Sequence, residues 1–115
     1  MIEVKKEYYR TGELRYETPY LNGERNGVGK GYYQTGKLHR ETPYLNGELH
    51  GIRKAYYRTG ELMSENSYLS GKRHGVVRYY TISGELECET PYLYGNQVTE
   101  EEYKKHQLIV ELAKL

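Results

Sequence analysis

The chain repeats itself every 24 residues, and no other feature restricts its fold as much. YYRTGEL at 8–14 returns as YYQTGKL at 32–38, YYRTGEL at 56–62 and YYTISGEL at 79–86. ETPYLNGE at 17–24 returns at 41–48, as ENSYLSGK at 65–72 and as ETPYLYGN at 89–96. Residues 8–31 and 32–55 agree at 15 of 24 positions, and Gly12, Gly36, Gly60 and Gly84 keep the period. The fourth copy reads as one residue longer before Gly84 and one shorter between Gly75 and Tyr79, two changes that cancel. Self-similarity at such a period means stacked units, each too small to be stable alone.

Each unit reads as a β-hairpin. Asn22-Gly23 and Asn46-Gly47 lie between β-prone runs, with Ser70-Gly71 in the third copy. Asn-Gly favours a tight hairpin turn because both central positions need positive φ. Pro19, Pro43 and Pro91 argue against helix and mark a strand edge or bulge. Two strands per copy give eight strands over residues 1–98, in a single-layer, twisted antiparallel meander sheet of mostly β character.

Composition fits a thin structure. Leu, Ile, Val and Phe total only 22 of 115 residues, while there are 15 Tyr and no Phe or Trp. Tyrosine can bury its ring and keep its hydroxyl wet. With a net charge of +1, the shortage of aliphatics does not indicate disorder.

A two-residue turn at Thr35-Gly36 places Lys30 opposite Glu41 and Tyr33 opposite Leu38. The same rule pairs Lys6 with Glu17 and Lys54 with Glu65, a ladder of opposite charges on one face. The extra residue before Gly84 is expected to break this register in the last copy as a bulge.

The tail changes character. Thr99-Glu100-Glu101-Glu102 reads as a capping box opening a C-terminal α-helix within 99–115. Leu108, Ile109, Leu112 and Leu115 fall on one side of it, with Tyr103 and Val110 roughly opposite. The expected role is to cap the open sheet end, and a homodimer through residues 100–115 is the alternative.

Chemistry is sparse. His50 and His74 share one repeat position, but Asn26 stands there in the first copy and no His/Cys cluster completes a metal site. Cys88 aligns with Tyr16, Arg40 and Ser64, and it is the one cysteine, which excludes an internal disulfide. Gly27-Val28-Gly29-Lys30-Gly31 lacks the helix that a phosphate loop needs. Glu17, Glu41, Glu65 and Glu89 recur once per copy, unlike a catalytic dyad. The reading is a non-enzyme without cofactor or metal. Acidic and basic residues number 16 and 17, arguing against a nucleic-acid partner. The opening MIEVKKEYYR has no signal-like apolar run, and Thr90 to Thr99, the longest uncharged stretch, is too short to span a bilayer. A cytoplasmic location is the expectation.

What remains is surface. Tyr and Arg are the residues that most often anchor protein interfaces. Arg15, Tyr16, His39, Arg40, Arg58 and Met63 vary between copies, so the scaffold does not require them. With Tyr32 and Tyr56 they are the partner-binding candidates.

The combination YYxTGxL, ETPYLNGExHG and KxYY resembles the variant MORN repeat over roughly residues 5–98. More specifically, it resembles the YwqK family of toxin–antitoxin antitoxins. That resemblance implies a β-hairpin-repeat sheet and a non-catalytic binding role. MORN proteins are often credited with phospholipid binding, but no polybasic cluster is present and membrane lipid is not expected. The leading expectation is an antitoxin or immunity-type inhibitor whose protein partner is a toxic or defence enzyme, a nuclease or deaminase. The alternative is an assembly scaffold that oligomerises through its sheet ends or terminal helix.

Overall fold

In the computed structural model, which describes residues 2–115, the sequence period becomes a structural one. Four long hairpins pair β1 (Ile2–Tyr8) with β2 (Leu14–Leu21), β4 (Gly27–Tyr32) with β5 (Leu38–Leu45), β7 (Gly51–Tyr56) with β8 (Leu62–Leu69), and β10 (Gly75–Tyr80) with β11 (Leu86–Leu93). A two-residue strand follows each: β3 (Glu24–Arg25), β6 (Glu48–Leu49), β9 (Lys72–Arg73) and β12 (Asn96–Gln97). All twelve join one open antiparallel meander, and α1 (Glu100–Ala113) ends the chain. The four short strands add to the eight expected. They form because the Asn-Gly turns work as anticipated, Asn22 and Gly23 at φ 52° and 83°, and send the chain straight back.

The other turn is not a two-residue one. Gly36 N–H donates to Tyr33 C=O and Tyr33 N–H to Lys37 C=O, so Gln34 and Thr35 are the turn centre and Gly36, at φ 92°, closes it. Tyr32, not Tyr33, therefore faces Leu38. His39 is left over as a bulge residue before Arg40 pairs with Gly31, which restores the expected Lys30–Glu41 register. Arg15, Met63 and Glu87 occupy the same bulge position.

The fourth hairpin keeps this register too, with Arg78 opposite Glu89. Tyr80 takes the place of Tyr32 and Tyr56, Tyr79 that of Gly31, and Thr81 that of Tyr57. The copy has a substituted second tyrosine and no insertion.

Neighbouring repeats touch through few ladder pairs: Tyr16 with Gly31 and Glu17 with Lys30, repeated downstream. The stop does not need proline, since the ladder ends alike beside Ser67 in the third copy, but Pro19 reinforces it. Its carbonyl accepts from Asn26 N–H, so the same side of Pro19 faces the next repeat and lacks a donor. Gly27 turns the chain there at φ 105°, with Pro19 Cγ 3.0 Å from where a Cβ would stand. Side chains complete the joint. Tyr9, Tyr33 and Tyr57 hydroxyls donate to the carbonyls of Tyr32, Tyr56 and Tyr80 at 2.5–2.7 Å. On the opposite margin Gly47, Gly71 and Gly95 N–H groups donate to Arg25, Leu49 and Arg73 carbonyls. Among the described residues Val77 is the one buried aliphatic, and the molecule measures 51 × 39 × 22 Å. Its stability resides in these joints and in tyrosine packing, not in an interior.

Thr99 stands at the repeat position of Gly27, Gly51 and Gly75, with φ −76° instead of a positive value. Without the glycine the chain cannot enter a fifth hairpin. It starts α1, where the Thr99 side chain accepts from Glu102 N–H and the Glu102 carboxylate accepts from Thr99 N–H. Tyr103 and His106 are the half-buried residues of α1, while Leu108, Ile109 and Leu112 are 60, 56 and 57% exposed. The helix docks by its aromatic side, and His106 meets His74 and Tyr94 edge-on. Leu86 and Cys88 on the outer edge of β11 stay exposed. No described helix is long and apolar enough to cross a membrane.

Candidate partner-binding face

Alternation along the strands sorts side chains onto two faces of different chemistry. One carries Lys6, Lys30, Lys54 and Arg78 opposite Glu17, Glu41, Glu65 and Glu89. The register is as expected, but the three lysines do not form the anticipated ion pairs. Tyr32, Tyr56 and Tyr80 hydroxyls donate instead to Glu17, Glu41 and Glu65 at 2.5–2.7 Å. A rigid phenol held by the next hairpin meets the carboxylate without the entropy cost of ordering a lysine chain. Only Glu89, which no tyrosine follows, pairs with its cross-strand cation, Arg78 at 3.2 Å. Burial and the neighbouring glutamates push the Tyr32 and Tyr56 hydroxyls up to about 12.

The second face holds Tyr16, Tyr20, Tyr44, Tyr68, Tyr79 and Tyr92 around a floor of small residues. Gly29, Gly31, Thr42 and Ser64 are buried there. The glycines are needed for the rings: a Cβ on Gly31 would meet Tyr16 Cε1 at 3.2 Å, and one on Gly29 would meet Tyr44 Cε2 at 3.3 Å. Arg25 lies over the Tyr44 ring at 5.2 Å and Arg73 over Tyr92 at 5.3 Å.

Charge separates the faces. From β2 to β10 the second face bears Arg25, Arg40, Arg53 and Arg73 and no carboxylate, Glu3 and Glu7 being confined to edge strand β1 and Glu87 to the bulge of β11. The overall charge of +1 conceals this arginine face. A cavity of ≈ 210 Å³ opens on it, lined by Arg40, Arg53, Ser64, Asn66, Tyr68 and Arg73 among others. A larger cleft of ≈ 410 Å³ lies between α1 and the glutamate face, lined by Glu65, Glu89 and Glu100 together with Arg78 and Lys104.

The candidate residues divide accordingly. Tyr32 and Tyr56 belong to the glutamate face, their hydroxyls committed to the repeat joint. Tyr16 and Arg40 lie on the arginine face. Arg15, His39 and Met63 are the bulge residues at its turn margin. Arg15 sits over Tyr9 and Tyr16, at 5.4 and 5.1 Å, His39 stacks on Tyr33 at 4.3 Å, and Arg58 covers the same tyrosine at 5.4 Å. Burial, with Arg40 and Arg58 nearby, lowers the His39 pKa. Arg25, Arg53 and Arg73 escaped the sequence reading. Strand alternation places them with Tyr16 and Arg40, a signal that net charge hides.

His50 and His74 have a structural task. Their Nδ1 atoms accept from Ser70 N–H and Tyr94 N–H, donors in the next repeat's tight turn, at 3.2 and 3.1 Å. Ser70 and Tyr94 hold φ of 47° and 50°, so the imidazole steadies a strained turn. Among the described residues no three His, Cys, Asp or Glu side chains form a group able to hold a metal ion.

Residues 4–22, 25–46 and 49–69 each match the MORN repeat variant, together more than half of the chain. The chain belongs to the MORN repeat variant family. As a MORN repeat protein it is a repeat module, and its fourth hairpin, outside the matched residues, has the same register as the other three. Neither a curated protein nor a solved structure matches it.

Proposed function

We propose that this MORN repeat protein is a non-catalytic protein-binding module that seats an enzyme on its arginine face and inhibits it, as an antitoxin or immunity-type factor does. The carrying observation is the continuous tyrosine-lined face whose half-buried Arg40 and Arg53 have no acidic partner among the described residues. Arginine and tyrosine on a preorganised surface give contact area at low entropy cost. The resemblance to YwqK-type antitoxins supports the same reading, with a nuclease or deaminase as target.

The test is affinity capture from source-cell extract with the wild type and with Tyr16→Ala/Arg40→Ala/Met63→Ala, followed by assay of the captured enzyme. Stoichiometric recovery of one enzyme, inhibited by the wild type and released by the variant, is the expected result. An enzyme equally bound by the variant, or fully active in the complex, overturns it.

The exposed Leu108, Ile109 and Leu112 stripe favours a second reading, assembly through α1. Light scattering decides it: a dimer mass that Leu108→Gln/Leu112→Gln reduces to the monomer supports assembly, and a monomer in both chains removes it.

A further inference from the structure

We infer that the cavity between Arg40, Arg53 and Arg73 is a carboxylate site that takes an acidic side chain of an extended partner polypeptide. This inference rests on the reading of the arginine face as the partner face.

Three guanidinium groups line a cavity that has no Asp or Glu in its wall. A half-buried charge is ordinarily matched by an opposite one. Yet among the described residues the ion pairs are Arg78–Glu89, Lys104–Glu100 and Lys114–Glu111, all elsewhere. Arg73 is partly engaged by Tyr92, whose hydroxyl lies 3.4 Å from its Nη1. Arg40 and Arg53 have no such partner. Guanidinium forks match a carboxylate in two parallel hydrogen bonds, so one acidic side chain satisfies the geometry of the cluster.

A second observation separates a polypeptide from other anions. Asn66 Oδ1, in the same cavity wall, is buried and accepts no hydrogen bond. It needs a donor, which a phosphodiester cannot supply and a peptide N–H can. The face is also poorly suited to stack bases, because Arg15, Arg25 and Arg73 already cover Tyr16, Tyr44 and Tyr92. The occupant is an acidic stretch of protein. An enzyme that acts on nucleic acid has a cationic substrate cleft, so this face would hold such an enzyme by an acidic surface elsewhere, not by plugging that cleft.

The isolated protein tests this without the enzyme. A hexaglutamate peptide is titrated into isotope-labelled protein while the arginine Nε–Hε signals are followed, with inorganic phosphate and oligothymidylate as parallel probes at equal ionic strength. Shifts at Arg40, Arg53 and Arg73, with affinity reduced about tenfold or more in Arg40→Gln/Arg53→Gln, are expected. Unmoved signals, or equal affinity in the variant, overturn the site. Tighter binding of phosphate or oligothymidylate than of the peptide overturns the polypeptide assignment. Failure here leaves the capture result standing, with a partner held by other chemistry.

Discussion

The Tyr56 hydroxyl donates to the Glu41 carboxylate at 2.5 Å, although Lys30 stands directly across the strand from Glu41. The repeat joint is thus made by a phenol from the following hairpin and not by the cation beside it. Tyr56→Phe should lower stability by about 1–2 kcal/mol, because a hydrogen bond to a charged group is lost at a half-buried site. Lys30→Ala should cost less than about 0.5 kcal/mol. Urea midpoints of the two variants test the ranking, and a larger loss for the lysine variant would contradict it.

The same bond sets an alkaline limit. Folding raises the Tyr32 and Tyr56 hydroxyls from the ordinary value of 10.0 to about 12, chiefly by burial and then by Glu17 and Glu41. Between those values the folded chain binds more protons than the unfolded one, so stability falls as pH rises. The contribution is complete below pH 10 and lost as pH passes about 12. Unfolding free energy measured across this window should decline less steeply in Tyr32→Phe/Tyr56→Phe than in the wild type.

Gly51 is a different kind of joint. Its φ of 111° disfavours any side chain, and an added Cβ would stand 3.2 Å from Pro43 Cγ. Gly51→Ala should cost about 2 kcal/mol or more from backbone strain. Gly60→Ala, at φ 96° in open space, carries the strain without the contact and should cost less. Thermal unfolding of the pair separates the two terms.

The hairpins and the Lys30–Glu41 register were legible because period, turn residues and alternation all point one way. The turn type was not. A two-residue turn and a longer turn compensated by a bulge at His39 place Lys30 opposite Glu41 equally well, so the charge ladder could not distinguish them. The doubled tyrosine at 79–80 misled for a similar reason, since Tyr79 stands at the position of Gly31 and only the contacts reveal it. The apolar side of α1 suggests docking, but His74 and Tyr94 offer an aromatic seat that His106 fills, while the Tyr103 hydroxyl lies near Gly75. The arginine face lay in the alternation of Arg40, Arg53 and Arg73 with Glu41, Lys54 and Lys72. It went unread because summing charge over the chain erases which side of a strand each residue occupies.

The helix should melt before the sheet. Thr99→Ala removes the acceptor for Glu102 N–H and the partner of its carboxylate, at a cost of about 1 kcal/mol. α1 touches the sheet through few residues, so this loss falls on the helix alone. Far-ultraviolet circular dichroism should show reduced helical signal with the β contribution and the main unfolding transition retained. Coincident loss of both would mean that α1 and the last hairpin unfold as one unit.

Arg40 and Arg53 should behave unlike the cations of the repeat joint. Both are half-buried and carry charge that no described carboxylate offsets, so the fold bears their desolvation and mutual repulsion. Arg40→Gln and Arg53→Gln should leave stability unchanged or raise it by about 0.5–1 kcal/mol, the direction for residues kept for binding at the expense of the fold. Arg78→Gln, which breaks the pair with Glu89, should lower stability by up to about 1 kcal/mol. Thermal unfolding of the three variants at low and high salt gives the comparison. Opposite signs for Arg40 and Arg78, converging as salt screens both, would identify the arginine face as a surface held open for an anion. Destabilisation by Arg40→Gln as large as that by Arg78→Gln would make Arg40 part of the scaffold.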